Sequence, residues 1–200
     1  MENGTETQGI RASFKNTVEA HRAVFDPSFD APHLSTLEEI TRQVLKALKS
    51  GRKILFCGNG GSAADAQHIA AELIVRFKRN RPSLPAIALS TDTSILTATG
   101  NDFSFEEIFA RQIEGLGQAG DVLFAISTSG ESSNVLSAVE RAKQKGLVTI
   151  GFTGMAGGRL KNRVDFCYQA QADETARAQE MHITAFHAII EAVEMIFFES

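Results

Sequence analysis

Two hundred residues, 43% of them hydrophobic, suffice for one buried core and one domain. A formal net charge of −4 argues against nucleic acid or an anionic membrane as the main partner. No apolar run is read as approaching the ~20 residues that span a bilayer, and the polar, acidic start Met1 to Gln8 does not read as a signal peptide. The expected location is the cytoplasm. Cys57 and Cys167 each sit in a strand-like run and read as reduced, buried, small apolar residues.

In chain order, residues 9–25 carry Ile10, Phe14, Val18 and Val24 at helical spacing, which predicts a helix ending before Asp26-Pro27. Ser35-Thr-Leu-Glu38 reads as a capping box opening a second helix, with Leu37, Ile40, Val44 and Leu48 inward and a stop at Ser50-Gly51. Ile54–Cys57 is a short apolar run and reads as a buried strand. The loop 58–62 follows, and an alanine-rich helix is expected from Ala63, capped by Ser62 and running to about residue 78. The basic run Arg76 to Arg81 then complements the end of that helix dipole. Further expected elements are a strand at 86–89, a helix at 93–99 stopped by Gly100, and a capping box at Ser104–Glu107 starting a helix through Leu116. After these come a strand at 122–126, a helix at 134–145, strands at 147–152 and 164–168, and a long helix from about 175 to 197. Strands apolar on both faces, alternating with helices, predict an α/β fold: a three-layer α-β-α sandwich with a five-stranded parallel sheet, preceded by two N-terminal helices.

The chemistry concentrates at residues 53–73. Gly58-Asn59-Gly60-Gly61-Ser62 has almost no Cβ bulk, so its backbone can approach a ligand. It lies between a strand and a helix N-terminus, where N–H groups suit an anion such as phosphate. The loop lacks the Lys of a Walker sequence and does not fit Gly-x-Gly-x-x-Gly. A second strand repeats the arrangement: Val122–Ile126 is followed by Ser127-Thr128-Ser129-Gly130-Glu131-Ser132, whose hydroxyls can hold a phosphate without Lys or Arg. Loops at the carboxyl ends of parallel strands are where such folds bind ligands. His68 and Glu72 are four apart and share one helix face. The last helix offers Gln179, Glu180, His182 and His187 on an otherwise apolar background, where unpaired polar groups cost energy. If His68, Glu72, Gln179 and His187 converge, they can act as acid and base or hold a divalent metal.

Several blocks resemble the bacterial phosphoheptose isomerases, which are sedoheptulose 7-phosphate isomerases of the sugar-isomerase (SIS) superfamily, with a flavodoxin-like sheet. These are residues 58–72, Gly100-Asn-Asp-Phe103, 120–130, and Ala176 to His182 with His187. The similarity runs from about residue 35 to the C-terminus; the Ser-Thr-Ser-Gly loop marks the superfamily, and His68/Glu72 with Gln179/His187 points to this family. The resemblance implies that Glu72 is the catalytic carboxylate and His187 its partner. It implies one zinc ion per subunit on His68, Glu72, Gln179 and His187. Phosphate contacts are implied for Ser127, Thr128, Ser129 and Ser132, with Asn59, Gly60, Gly61, Ser62, Asp102, Glu72 and Gln179 around the sugar. It further implies a homotetramer, with residues 1–50 in the subunit interface and 51–200 the SIS sugar-phosphate domain, and a product entering lipopolysaccharide heptose synthesis. The implied reaction converts a ketose phosphate to an aldose phosphate through an enediol.

Two departures stand out. Glu131 replaces a neutral residue beside the phosphate loop, where its charge would repel the substrate unless it points outward. Ala178 replaces a larger apolar residue. Two other functions share the fold: a non-catalytic tetramer that binds the bacterial replication initiator, and a sugar-phosphate sensor. Glu72 and His187 favour the isomerase, because the scaffold group lacks that pair.

Overall fold

A computed structural model describes residues 2–198, with side chains from residue 6. Five strands form one parallel sheet in the order β2-β1-β3-β4-β5, with β1 Ile54–Gly58, β2 Ala86–Ala88, β3 Val122–Ile126, β4 Val148–Thr153 and β5 Phe166–Gln169. The helices are α1 Glu2–Ser28, α2 Ala31–Lys49, α3 Gly61–Ile74, α4 Thr93–Asp102, α5 Ala110–Leu116, α6 Ser133–Gln144 and α7 Thr175–Phe198. The expected α-β-α sandwich with two leading helices is therefore present.

Every residue of β1 and β3 is buried, as a parallel sheet covered on both faces requires. Alternation splits them between two cores. Ile54, Phe56, Val122, Phe124 and Ile126 pack with α2, α3 and α7, while Leu55, Cys57, Leu123 and Ala125 pack with α5 and α6. The first core is aromatic at its centre. Phe56 stacks on Phe124 and Phe152 on Phe186, with ring centroids 5.1 and 4.2 Å apart. Truncating a fully buried ring such as Phe186 to Ala costs about 3–5 kcal/mol through lost contacts and the cavity left behind. This core holds α3 and α7 side by side on one face, the arrangement that builds the site.

Several boundaries differ from the sequence expectation. The first helix runs through Pro27 to Ser28, because a proline one residue from the end removes only a terminal hydrogen bond. The second begins at Ala31, not at Ser35: Asp30 is its cap, accepting the backbone N–H of His33 at 3.2 Å, and Pro32 suits the first turn. The third begins at Gly61, so Ser62 lies within its first turn and Gly60, at φ 54°, is the cap. It stops at Ile74 and leaves the whole basic run, residues 76–81, in a loop. Arg81 serves its C-terminus, donating to the carbonyls of Leu73 and Glu72 at 2.8 Å each. The helix at 93 continues past Gly100 to Asp102. The box at Ser104 makes no side-chain cap and opens only a 3₁₀ turn, Phe105–Glu107, before the separate α5.

One expectation about composition is overturned. The last helix, Thr175–Phe198, is long and apolar enough to cross a membrane. Its length serves another purpose here, since Met181, Ala185, Phe186, Ile189, Ile190 and Val193 are buried against the sheet. Cys57 is buried as expected, its thiol pushed up to about 12 by burial, and Cys167 is half-buried; neither is in a disulfide.

Candidate active site

β1 and β3 are neighbours in register, with Gly58 opposite Ile126, so the two loops leave the sheet side by side. Together with the start of α7 they line a pocket of about 310 Å³. Asn59, Gly60, Gly61 and Ser62 come from the first loop, Ser127, Thr128 and Ser132 from the second, and Thr175 and Gln179 from α7. Among the described residues, no Lys or Arg lines it. Three helices begin at its wall, at Gly61, Ser133 and Thr175, so three positive dipole ends meet where an anion would sit. The Ser132 hydroxyl does not cap its own helix. It lies 3.0 Å from the Ser127 hydroxyl, inside the cradle. Gly61 answers a close approach: a Cβ there would stand 2.4 Å from the Gln179 amide nitrogen. The loops are joined by Asn59 and Asn134, whose side-chain amides each donate to the other's oxygen at 2.9 Å.

The second cluster lies where α3 meets α7. His68 and His187 bring their Nε2 atoms to 3.0 Å, and Glu72 Oε1 is 3.6 Å from His68 Nε2. Phe77 stacks on the His187 ring, with centroids 5.3 Å apart and planes at 18°. The His187 pKa is lowered, chiefly by burial and further by His68, against the opposing pull of Glu72. The shift favours the neutral imidazole, which carries one N–H donor and one acceptor nitrogen.

Zinc held by imidazole at about 2.0–2.1 Å sets tetrahedral ligand nitrogens roughly 3.3 Å apart. The 3.0 Å between the two histidines is close to that, and a carboxylate stands beside them. Among the described residues no group of three or more His, Cys, Asp or Glu is already closed around one point. To hold a zinc ion these three side chains would have to move from the positions they occupy here. Gln179 lies at the pocket instead, over Gly61.

The remaining sequence candidates divide. Ser129 is exposed at the rim, 3.4 Å from the Ser127 hydroxyl, and accepts the backbone N–H of Glu131 at 3.1 Å. Asp102 ends α4, exposed and bonded to the Asn101 amide, and does not line the pocket. His182 is a core residue: fully buried, bonded through Nε2 to the Thr153 carbonyl at 2.9 Å, its pKa lowered to about 4 by burial. Glu180 pairs with His21 of α1 at 2.7 Å and with Arg177 at 2.8 Å. The worry over Glu131 is resolved. Its carboxylate is exposed and turned to Arg159, which donates its backbone N–H at 2.8 Å and its Nε at 2.5 Å. That hydrogen-bonded guanidinium holds the Glu131 carboxyl below the usual range.

Sequence reasoning missed Asn134, Thr175, Phe77 and Asp65. Asn134 and Thr175 stand at or beside helix starts that follow glycine- and serine-rich or acidic turns, a signal that was available. Nothing local marks Phe77, which acts through a residue more than a hundred positions away. Asp65, three residues before His68, has its carboxyl pushed up to about 6 by burial, against the pull of His68.

Residues 28–154 match the SIS domain family model. The chain is 54% identical over 160 residues to the phosphoheptose isomerase of Roseiflexus sp. (strain RS-1), covering 80% of this chain and 81% of that one. It is 46% identical over 190 residues to that of Thermodesulfovibrio yellowstonii, covering 95% and 92%. The solved structure of phosphoheptose isomerase from Neisseria gonorrhoeae superposes with a TM-score of 0.82 at 38% identity, covering 94% of this chain and 98% of that one.

Proposed function

Since the chain belongs to the SIS-domain family and, within it, to the phosphoheptose isomerases, we propose that it converts sedoheptulose 7-phosphate to D-glycero-D-manno-heptose 7-phosphate. The observation that carries this reading is the pairing of a cation-free, hydroxyl-lined anion pocket with an acid–base cluster on the same two helices. Gln179 and His187 are eight residues apart on α7, about 12 Å along its axis. Phosphate held at one end and reacting carbons at the other suit a long sugar phosphate rather than a short one.

The reaction moves one proton from C1 to C2 and one between O1 and O2. In our mechanism the Glu72 carboxylate takes the C1 proton and returns it at C2 of the enediol. Neutral His187 shuttles the second proton between the two oxygens, its N–H and its free nitrogen allowing both halves. The phosphate, bound at the three helix N-termini, fixes orientation far from the bonds that change. His68, Glu72 and His187, with Gln179 if it swings from the pocket, would hold zinc. Bound there, the ion would polarise the sugar's oxygens. Elemental analysis after dialysis against trace zinc should find about one ion per chain.

We further infer a cytoplasmic homotetramer acting in the heptose supply of lipopolysaccharide. Ile10, Phe14 and Val18 support the assembly, being 50%, 68% and 49% exposed along one helix. No observation favours the initiator-binding scaffold or the sensor. The decisive experiment supplies sedoheptulose 7-phosphate to the zinc-loaded protein and follows aldoheptose 7-phosphate by NMR. An inert wild type would end the reading.

A further inference from the structure

A buried ion pair lies behind the acid–base cluster.

 The pair is Glu194 of α7 and Arg81 of the loop after α3, with side chains 2% exposed each and Glu194 Oε1 2.8 Å from Arg81 Nε. Burying two ions is costly unless their remaining hydrogen-bonding positions are filled. Here they are filled. Glu194 also accepts the backbone N–H groups of Phe77, Lys78 and Arg79 at 2.9, 2.9 and 3.1 Å. Arg81 donates to the carbonyls of Leu73 and Glu72 at 2.8 Å each.

One pair therefore ties three things together: α7, which carries His187; the end of α3, which carries Glu72; and the loop, which carries Phe77. A buried ion pair is a poor device for stability alone, because well-packed apolar groups of the same volume often do as well or better. Fixed geometry is what it adds. Phe77 lies flat on the His187 ring at 18°, and His68 meets that ring edge-on at 72°. Between them they set the ring plane, and so the direction in which its nitrogens point.

We propose that Glu194, Arg81 and Phe77 are positioning residues for the isomerisation: the buried pair sets the loop, and the loop sets Phe77 against His187. This rests on the isomerase reading above. None of the three lines the phosphate pocket, so their loss should misalign proton transfer and leave phosphate binding alone.

The test compares wild type, Phe77→Leu, Phe77→Tyr and Glu194→Gln in steady-state kinetics with sedoheptulose 7-phosphate, alongside crystal structures of the variants. Phe77→Leu keeps apolar bulk but not the flat ring, and kcat should fall about tenfold or more with KM changed by less than about twofold, as expected of a misplaced catalytic group. Phe77→Tyr keeps the ring and should restore kcat. Glu194→Gln places an amide donor against N–H groups, and should lower kcat in the same way with a displaced loop 76–81. An unchanged kcat in Phe77→Leu, or a loss confined to KM, overturns the proposal; so does failure of Phe77→Tyr to restore turnover. If Glu194→Gln does not fold, the Phe77 pair decides. If the wild type itself is inert, the isomerase reading fails, and the structures still decide the positioning: an unmoved His187 ring in both Phe77→Leu and Glu194→Gln overturns it.

Discussion

Asn59 and Asn134 exchange two side-chain hydrogen bonds of 2.9 Å, each amide donating to the other's oxygen, and so lock the loop after β1 to the first turn of α6. Asn134 is buried, so breaking the pair leaves polar atoms without partners. Asn134→Ala should cost about 1–3 kcal/mol of stability, the usual penalty for an orphaned buried group. It should also raise KM, because the two halves of the phosphate cradle lose their register. The double variant Asn59→Ala/Asn134→Ala should cost less than the sum of the single variants. Urea unfolding and steady-state kinetics measure both effects, and additive costs would show that the amides do not act as a pair.

Glu72→Gln keeps shape and reach but removes the base. Turnover should fall by the ~10²–10⁴-fold typical of losing a positioned acid or base, with assembly intact. His187→Gln should do likewise, and the double variant should lose much less than the product of the two, because both groups serve one reaction. Multiplying effects would mean that they act in independent steps.

Arg159 matters to binding through Glu131. With the guanidinium present, the carboxylate is neutralised and held away from the phosphate loop. Arg159→Ala frees it, and KM should rise; Glu131→Gln in that background should restore KM. Kinetics of the three variants decide the matter, and an Arg159→Ala enzyme with unchanged KM would remove Glu131 from the electrostatics of the site.

His182 and Asp65 impose opposite pH dependences. The His182 pKa falls to about 4 in the folded chain from its ordinary value of 6.5, so the unfolded chain binds more protons between those values. Its contribution to stability is complete above about pH 6.5 and is lost as pH falls toward 4. The Asp65 pKa rises to about 6 from 3.8, so its contribution is complete below 3.8 and is lost as pH rises through 6. Relative to wild type, His182→Gln should gain stability as pH drops from 6.5 to 4, and Asp65→Asn should gain it as pH climbs from 4 to 6. Thermal melts across that range test both signs, and parallel curves for all three proteins would refute them.

The apolar stripe of α1 predicts its own cover. Phe14→Glu should leave the α/β core folded, since Phe14 is 68% exposed on the single chain, but should break the assembly. Light scattering reads the mass; an unchanged tetramer, or a wild type that is already monomeric, would end this expectation.

Local rules settled much of this protein from the sequence alone. The apolar runs 54–57 and 122–126 read as strands buried on both faces, and the glycine- and serine-rich segments after them read as loops at helix starts. Those features depend on side-chain period and backbone freedom, which act over a few residues. Other features depended on partners distant in sequence. One boundary was instead a choice between two local signals: Asp30, not Ser35, caps α2, because a second good cap stands upstream with a proline at the right place. His68 and His187 meet only because α3 and α7 cover the same face of the sheet, and spacing along the chain does not say which helices share a face. Glu131 is paired because Arg159 faces it, and Glu194 is tolerated in the core because one loop turns three N–H groups and a guanidinium toward it. The cost of a charge is fixed by its surroundings, and only the folded chain supplies them.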